Sequence, residues 1–160
     1  MSSTPLVIAP VPLASAEGTV LSGDGWWPDI DCNDMREALR IGEAVTHARL
    51  IMALESALIT VTDDLAPWRA AQEAAGFTSL AAVRPDQTTN GKPRLVVLFT
   101  NAVRYGAAAE LFEHSTDMTA TGAMQGREEA KRQQGGDFDA RRLQAVRSIM
   151  GTTRVAVDLI

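Results

Sequence analysis

Apolar residues recur every three or four positions in two long stretches, and this spacing constrains the fold more than any other feature of the chain. The first stretch follows Thr46, which can cap a helix, and its apolar positions are Leu50, Ile51, Leu54, Leu58, Val61 and Leu65. The second follows Pro93, and its apolar positions are Leu95, Val96, Leu98, Phe99, Ala102, Val103, Ala107, Ala109, Leu111 and Phe112. Because the second stretch is apolar around much of its circumference, it predicts a central helix that other helices cover.

Shorter patterns predict further helices on either side of these two. Asp31 or Asn33 can cap a helix of about ten residues that ends at Gly42. A last helix runs through Met150, and its inward residues are expected to be Phe138, Leu143, Val146, Ile149 and Met150. The prediction is an all-α fold, a small helical bundle of about four to five helices over residues 26–151.

Proline and glycine interrupt these patterns at three places. Pro67 removes a backbone donor, so we expect the second helix to end or kink there before residues 68–75 resume helically. The Gly-Gly pair at 135–136 is expected to interrupt the chain before the last helix. The Asn-Gly pair at 90–91 predicts an exposed loop rather than a hairpin, because its flanks lack alternation.

The two ends of the chain differ in character from the helical part. Residues 1–25 are rich in Pro, Ser, Gly and Ala without a steady period, which predicts a flexible arm with no core of its own. Such an arm is either disordered in the isolated chain or ordered on a partner surface. Residues 152–160 are β-branched and alternating and predict a C-terminal β-strand tail, whose candidate partner-binding residues are Thr153, Arg154, Val155, Ala156, Val157, Asp158, Leu159 and Ile160. With no second strand predicted to pair with it, this tail is expected to fray or to join a sheet of another molecule.

Three tryptophans mark the start of the helical part and the second helix. Trp26 and Trp27 are candidates for anchoring the arm, either on the domain itself or on a neighbour. Trp68 is interpreted as a core residue rather than a ligand platform.

Charge limits the classes of partner. The chain has 15 Lys+Arg against 20 Asp+Glu, a formal net charge of -5, so general attraction to nucleic acid or to an anionic membrane is not expected. Arginines nevertheless concentrate in the last third, where Arg141, Arg142 and Arg147 form a candidate basic surface. This surface is either a solvated face with salt bridges or a contact for an acidic partner or DNA.

The single cysteine and the lengths of the apolar runs predict the cellular setting. Cys32 alone cannot form an internal disulfide, which suits synthesis in a reducing cytoplasm. The apolar runs are interrupted by charges before they reach the ~18 to 20 residues that span a bilayer, so a soluble protein without a membrane partner is expected.

Residues capable of catalysis form no recognisable constellation. His47 and His114 each follow a glutamate by four positions, whereas the di-iron carboxylate signature is Glu-x-x-His, so both are interpreted as surface or cap histidines. Cys32 is interpreted as a small buried hydrophobe, although a helix start can activate a thiol. We therefore predict no catalytic residue, no metal site, no cofactor and no enzymatic activity.

Several short motifs occur in a characteristic order. They are Trp-Pro-Asp-Ile-Asp at 27–31, Met-Arg-Glu-Ala-Leu-Arg at 35–40, Leu-Ala-Pro-Trp-Arg-Ala-Ala-Gln at 65–72, Ala-Gly-Phe at 75–77, Leu-Val-Val-Leu-Phe at 95–99 and Thr-Arg-Val-Ala-Val-Asp-Leu-Ile at 153–160. Over residues 26–160 this order resembles the head completion proteins of P2-like tailed phages. The matching residues are of packing and surface types rather than catalytic ones.

The resemblance implies a virion structural protein with the helical fold of head-tail connector adaptors. It implies that residues 26–151 are an adaptor domain in a dodecameric ring that completes the DNA-filled head in the neck of the virion, after synthesis in the cytoplasm of the bacterial host. The implied partners are the portal protein, neighbouring copies and a tail-side neck protein, with packaged DNA as a further candidate. Two alternatives remain at this stage, a small helical interaction or regulatory domain of cellular origin and a metal-binding helical enzyme.

Overall fold

The computed structural model of the protein describes residues 19–41, 45–117 and 125–151. Within these ranges the helices are α1 (Cys32–Ala38), α2 (His47–Ala74), α3 (Arg94–Asp117) and α4 (Gln125–Met150), with a 3-10 turn at Leu80–Ala82. Two small antiparallel sheets pair β1 (Val20–Leu21) with β2 (Ile30–Asp31), and β3 (Thr88–Thr89) with β4 (Lys92–Pro93). The fold is essentially all-α, as predicted, and the two small sheets are an addition to it. The predicted strand at 152–160 and the arm up to residue 18 lie outside the described residues.

Side-chain caps place the starts of the first two helices where the sequence predicts them. Asp31 rather than Asn33 caps α1, because its Oδ1 accepts hydrogen bonds from the N–H of Asn33 (2.8 Å) and of Asp34 (2.9 Å). Thr46 caps α2 by accepting from the N–H of Arg49 at 3.3 Å. Helix α1 has seven residues, which is shorter than predicted.

Helix α2 runs through Pro67 to Ala74, so of the two predicted outcomes, an end or a kink, the end is wrong. Proline leaves the carbonyl four residues earlier, that of Asp63, without its helical donor. Pro67 and Asp63 are both exposed residues, so water can satisfy that carbonyl and the helix need not end. The helix ends instead at Ala74 before Gly76, whose φ of 92° belongs to the left-handed region that closes many helices.

The Asn-Gly pair at 90–91 forms a two-residue hairpin between β3 and β4, which the sequence analysis did not expect. Asn90 and Gly91 have φ values of 51° and 71°, the combination that a type I′ turn requires. The paired strands have only two residues each, so they carry no alternation that a pattern search can detect. The turn residues alone were the usable signal.

Helix α4 is continuous through the Gly-Gly pair at 135–136, so the predicted interruption is also wrong. Each interior glycine costs a helix about 1 kcal/mol relative to alanine. Burial of Ala145, Val146 and Ile149 against α3 offsets this cost. Tertiary packing therefore overrides the local preference.

Helix α3 is the central helix, as predicted, and lies between α2 and α4. The three helices cross closely at Gly106, where an added Cβ would lie 2.9 Å from the Cβ of Ala57 on α2 and 3.1 Å from Cδ of Arg142 on α4. The fully buried side chains around α3 include Leu54, Val61, Leu95, Phe99, Val103 and Ile149. A glycine at this crossing allows the backbones to approach more closely than any side chain would.

The apolarity of α3 is also sufficient, by length and composition, for a membrane span. Residues Arg94–Phe112 form a 19-residue stretch with a mean hydropathy of 1.3. Inside this stretch Leu95, Phe99, Ala102 and Val103 are buried in the core. Packing between two neighbouring helices accounts for the part of this composition that is buried, which is 39% of the apolar window.

The folded part of the chain begins earlier than the sequence predicts. Val20 pairs with Asp31 and Leu21 with Ile30, and the N–H of Cys32 donates to the carbonyl of Thr19 at 3.0 Å. Residues 19–25 are therefore part of the folded unit, whereas Trp26 was the expected start. This hairpin places Trp26 and Trp27 beside the helices.

Candidate functional site

No cluster of three or more His, Cys, Asp or Glu side chains able to hold a metal ion occurs in the part of the chain that the structure describes. Cys32 is completely buried, and its burial, followed by the nearby charge of Asp31, raises the pKa of the thiol. A raised pKa leaves less thiolate, which is the opposite of what a nucleophile requires. The side chain of His114 and residue Glu43 lie outside the description, so the two Glu-His spacings stay untested.

Trp26 and Trp27 lie inside the domain's own core. The ring of Trp27 stacks on Phe99 of α3, with a centroid distance of 4.7 Å and an interplanar angle of 9°. The ring of Trp26 meets Trp27 edge to face at 4.5 Å and Trp68 at 6.0 Å. Trp68 is partly buried against the core, in agreement with its predicted role. The two adjacent tryptophans therefore fix the N-terminal hairpin to α2 and α3, while their role in anchoring residues 1–18 stays a prediction.

An ion pair between Asp24 and Arg69 covers the tryptophans. The guanidinium of Arg69 lies 5.1 Å from the ring centroid of Trp26 and 5.6 Å from that of Trp27, and it pairs with the carboxylates of Asp24 and Glu73. Burial alone would raise the pKa of Asp24, but the bond from Arg69 and the N–H groups of Trp26 and Trp27 outweigh it and lower the pKa. The Asp24 carboxylate thus joins the N-terminal hairpin to α2.

The predicted basic surface separates into residues with different roles. Arg142 reaches across the bundle, donating to Asp64 of α2 at 2.6 Å and to Asp139 of its own helix at 2.7 Å. Its side chain is only 12% exposed. Burial alone would lower the pKa of Arg142, but the two carboxylates raise it. Arg142 is therefore a structural tie between α2 and α4 rather than part of an open surface.

Arg141 and Arg147 instead line a groove at the end of the bundle where α3 starts and α4 ends. The groove has a volume of about 910 Å³ and is lined by two further arginines, Arg84 and Arg94, and by the acid Asp137. We call this site the basic groove. The guanidinium of Arg141 lies 5.9 Å from the ring centroid of Tyr105 and 5.8 Å from that of Phe138.

Arg84 and Arg94 were not among the site residues predicted from the sequence. Arg84 lies in the connection after the 3-10 turn with a positive φ of 54°, and Arg94 is the first residue of α3. The two residues are far from Arg141 in the sequence, and neither lies in a run of basic residues. No local pattern could have indicated that they meet α4.

A different face of the bundle exposes apolar side chains. Met52 and Ile59 on α2 are 66% and 62% exposed, and Val20 of β1 is 43% exposed. Val20 and Ile59 line one shallow depression together with Leu21, Ser22, Ile51, Glu55 and Leu58. Exposed apolar residues that lie together, rather than singly, are typical of protein contact surfaces.

The described residues thus form a helical domain that carries a basic groove and, on another face, exposed apolar side chains. The family model described as phage head completion protein (GPL) matches residues 21–160. The chain therefore belongs to the family of phage head completion proteins, which confirms the resemblance.

One relative extends this result. A head completion/stabilization protein of Escherichia phage P2 is 32% identical over 111 residues, which are 69% of this chain and 65% of that protein. The match thus spans slightly less than two thirds of the relative's length. No solved structure matches the chain.

Proposed function

We propose that this protein is a virion structural protein that completes and stabilises the DNA-filled head of a tailed phage. The observation that carries the proposal is the family match, which covers almost all of the folded domain and continues through residue 160. The same match supports a structural role rather than an enzymatic one, because the family is described by its part in completing the phage head. The match equally favours a phage protein over a regulatory domain of cellular origin.

In this role the protein would be a connector subunit in the neck of the virion. It binds the portal protein, neighbouring copies in a ring and a tail-side neck protein, and the copy number follows a dodecameric portal. It is made in the cytoplasm of the bacterial host before assembly. A ring requires head-to-tail contacts between copies, and the exposed apolar face around Met52 and Ile59 supports such a contact.

The helical domain serves as the scaffold, and the segments outside it extend the contact area. Residues 152–160 add a strand to a sheet of the portal or of a neighbouring copy, and residues 1–18 are a second extension. Main-chain hydrogen bonds supply the affinity of an added strand, and its alternate side chains supply the specificity. Among the described residues the hydrophobic core is formed by side chains between Trp26 and Ile149, with Leu21 packed against it, so we expect a chain that ends at Gly151 to fold.

A truncation after Gly151 tests the proposal. In a phage that depends on this gene, we expect the truncated protein to fold, as measured by circular dichroism, but to leave heads that lose DNA and carry no tails in electron micrographs. The matched control keeps residues 152–160 with Val155 and Val157 retained and exchanges Arg154, Ala156 and Asp158, which alternate with them in the sequence, for threonine. Normal completion of heads by the truncated protein would show that the strand is not the docking element.

A second experiment tests the head completion role itself. If the complete gene is removed and heads still retain DNA and accept tails, the proposed function is wrong. Mass measurement of the purified protein then shows whether the free chain is a monomer that forms a ring only on the portal.

A further inference from the structure

We infer that the basic groove formed by Arg84, Arg94, Arg141 and Arg147 binds the phosphate groups of nucleic acid. This inference rests on the proposed function, because a connector subunit surrounds the path of the packaged DNA. It changes the candidate basic surface by adding Arg84 and Arg94 and by removing Arg142.

The four arginines come from three separate parts of the chain and converge through tertiary structure. Arg84 follows the buried Val83, and its Nη2 lies 4.0 Å from the position of a Cβ at Gly151, the residue after α4. The backbone of Arg94 is fixed by donation from its N–H to the carbonyl of Gln87 at 2.8 Å. The connection before α3 and the end of α4 thereby form opposite sides of one groove.

The groove carries an excess of positive charge on an otherwise acidic protein. Among the described residues, its lining contains the four guanidinium groups and one carboxylate, that of Asp137. Among the described residues, Arg84, Arg94 and Arg141 make no ion pair with a carboxylate, whereas Arg69 and Arg142 each contact two. No described carboxylate therefore neutralises these three arginines, and Arg94 donates from Nη1 only to the uncharged Oε1 of Gln87, at 3.5 Å. The rings of Tyr105 and Phe138 already restrict the guanidinium of Arg141, so this side chain loses less conformational entropy when it binds an anion.

The lining favours phosphate groups over an acidic peptide. A peptide gains specificity from pockets for its side chains, and the apolar side chains that the described residues contribute to this lining are those of Ala140 and Leu143. A nucleic acid backbone instead presents a regular series of charges, about one per 1.7 Å of duplex axis. The planar guanidinium fork matches phosphate oxygens in a bidentate arrangement.

A weak single site is sufficient for this role. The formal net charge of -5 opposes long-range attraction of DNA, so the free protein is not expected to bind DNA tightly. In a ring, several grooves face the same DNA, and the high local concentration makes weak contacts effective together. The groove would then hold the packaged DNA without reading its sequence.

The test measures binding of the purified full chain to a fluorescent duplex oligonucleotide of mixed sequence, by anisotropy, over a series of salt concentrations. The logarithm of the binding constant falls by about 0.9 per phosphate contact for each tenfold rise in salt. We expect Arg94→Gln to weaken binding several-fold and to reduce the magnitude of this slope by about 0.9, with a similar effect for Arg84→Gln. The matched control Arg49→Gln removes the same charge from the start of α2, outside the groove, and should leave the slope unchanged.

Three results would overturn the inference. The first is a double variant, Arg84→Gln with Arg94→Gln, whose binding constant depends on salt as steeply as that of the wild type while circular dichroism shows the native fold. Another is no measurable binding of the wild-type chain to the duplex at low salt. A third is displacement of the duplex by a hexaglutamate peptide at lower concentration than by unlabelled duplex, since this would assign the groove to an acidic protein segment. These outcomes concern the isolated protein, so the head completion assay above can still succeed when the groove assignment fails.

Discussion

Replacing Gly106 by alanine tests the packing of the three long helices at their common crossing. The new methyl group would lie 2.9 Å from the Cβ of Ala57 and 3.1 Å from Cδ of Arg142. The Arg142 chain is held by its pairs with Asp64 and Asp139, and the Ala57 methyl is fixed to the backbone of α2. The backbones of α2 and α3 must therefore separate to admit the alanine.

Two opposing effects determine the size of the change. Alanine is about 1 kcal/mol better than glycine in a helix interior. Overpacking a tight contact costs about 1 to 3 kcal/mol. We therefore expect Gly106→Ala to lower the free energy of unfolding by up to about 2 kcal/mol, depending on how far the helices can separate.

Gly136 supplies the matched control. It lies within helix α4 and a Cβ added there would meet no atom within 4 Å, so only the propensity gain applies. We expect Gly136→Ala to raise the free energy of unfolding by up to about 1 kcal/mol. The difference between the two variants, about 1 to 3 kcal/mol, then reports the steric effect alone.

Urea unfolding followed by tryptophan fluorescence measures these differences. A second-site change strengthens the test, because Ala57→Gly removes the atom that the new methyl would strike. The double variant should be more stable than the sum of the two single changes predicts, by about 1 kcal/mol or more. If Gly106→Ala stabilises the protein as much as Gly136→Ala does, the close crossing is not present in solution and the reasoning fails.

The remaining predictions concern the two ion-paired networks. Because the pKa of Asp24 is lower in the folded state than the ordinary value of 3.8, its carboxylate stabilises the fold above that pH, and the contribution is lost as the pH falls below it. In urea unfolding at a series of pH values, Asp24→Asn should therefore reduce the fall in the free energy of unfolding at acid pH. An unchanged fall would contradict this prediction. Arg142→Met keeps the aliphatic part of the chain but removes the tie to Asp64, so it should cost about 1 kcal/mol, and less at high salt. An equal cost at low and high salt would indicate that packing, rather than charge, is responsible.

Local features of the sequence were sufficient for the helices α2 and α3 and for the starts of α1 and α2. The three- and four-residue spacing identified α2 and the central position of α3, because a helix face that must be buried repeats with the helical turn. Asp31 and Thr46 were identifiable as caps because a cap bonds within three residues of itself. The order of short motifs identified the family, which the match over residues 21–160 confirms.

Tertiary structure decided the features that depend on distant residues. Pro67 stays within α2 because the carbonyl it orphans is exposed to water, and the glycines of α4 stay helical because that helix is held against α3. Arg142 is not part of the open basic surface because it pairs with Asp64, which is far away in the sequence. The basic groove likewise exists only because the chain before α3 returns to the end of α4. Periodicity and capping act over one helical turn and can be read locally, whereas the meeting of charges depends on how complete helices pack.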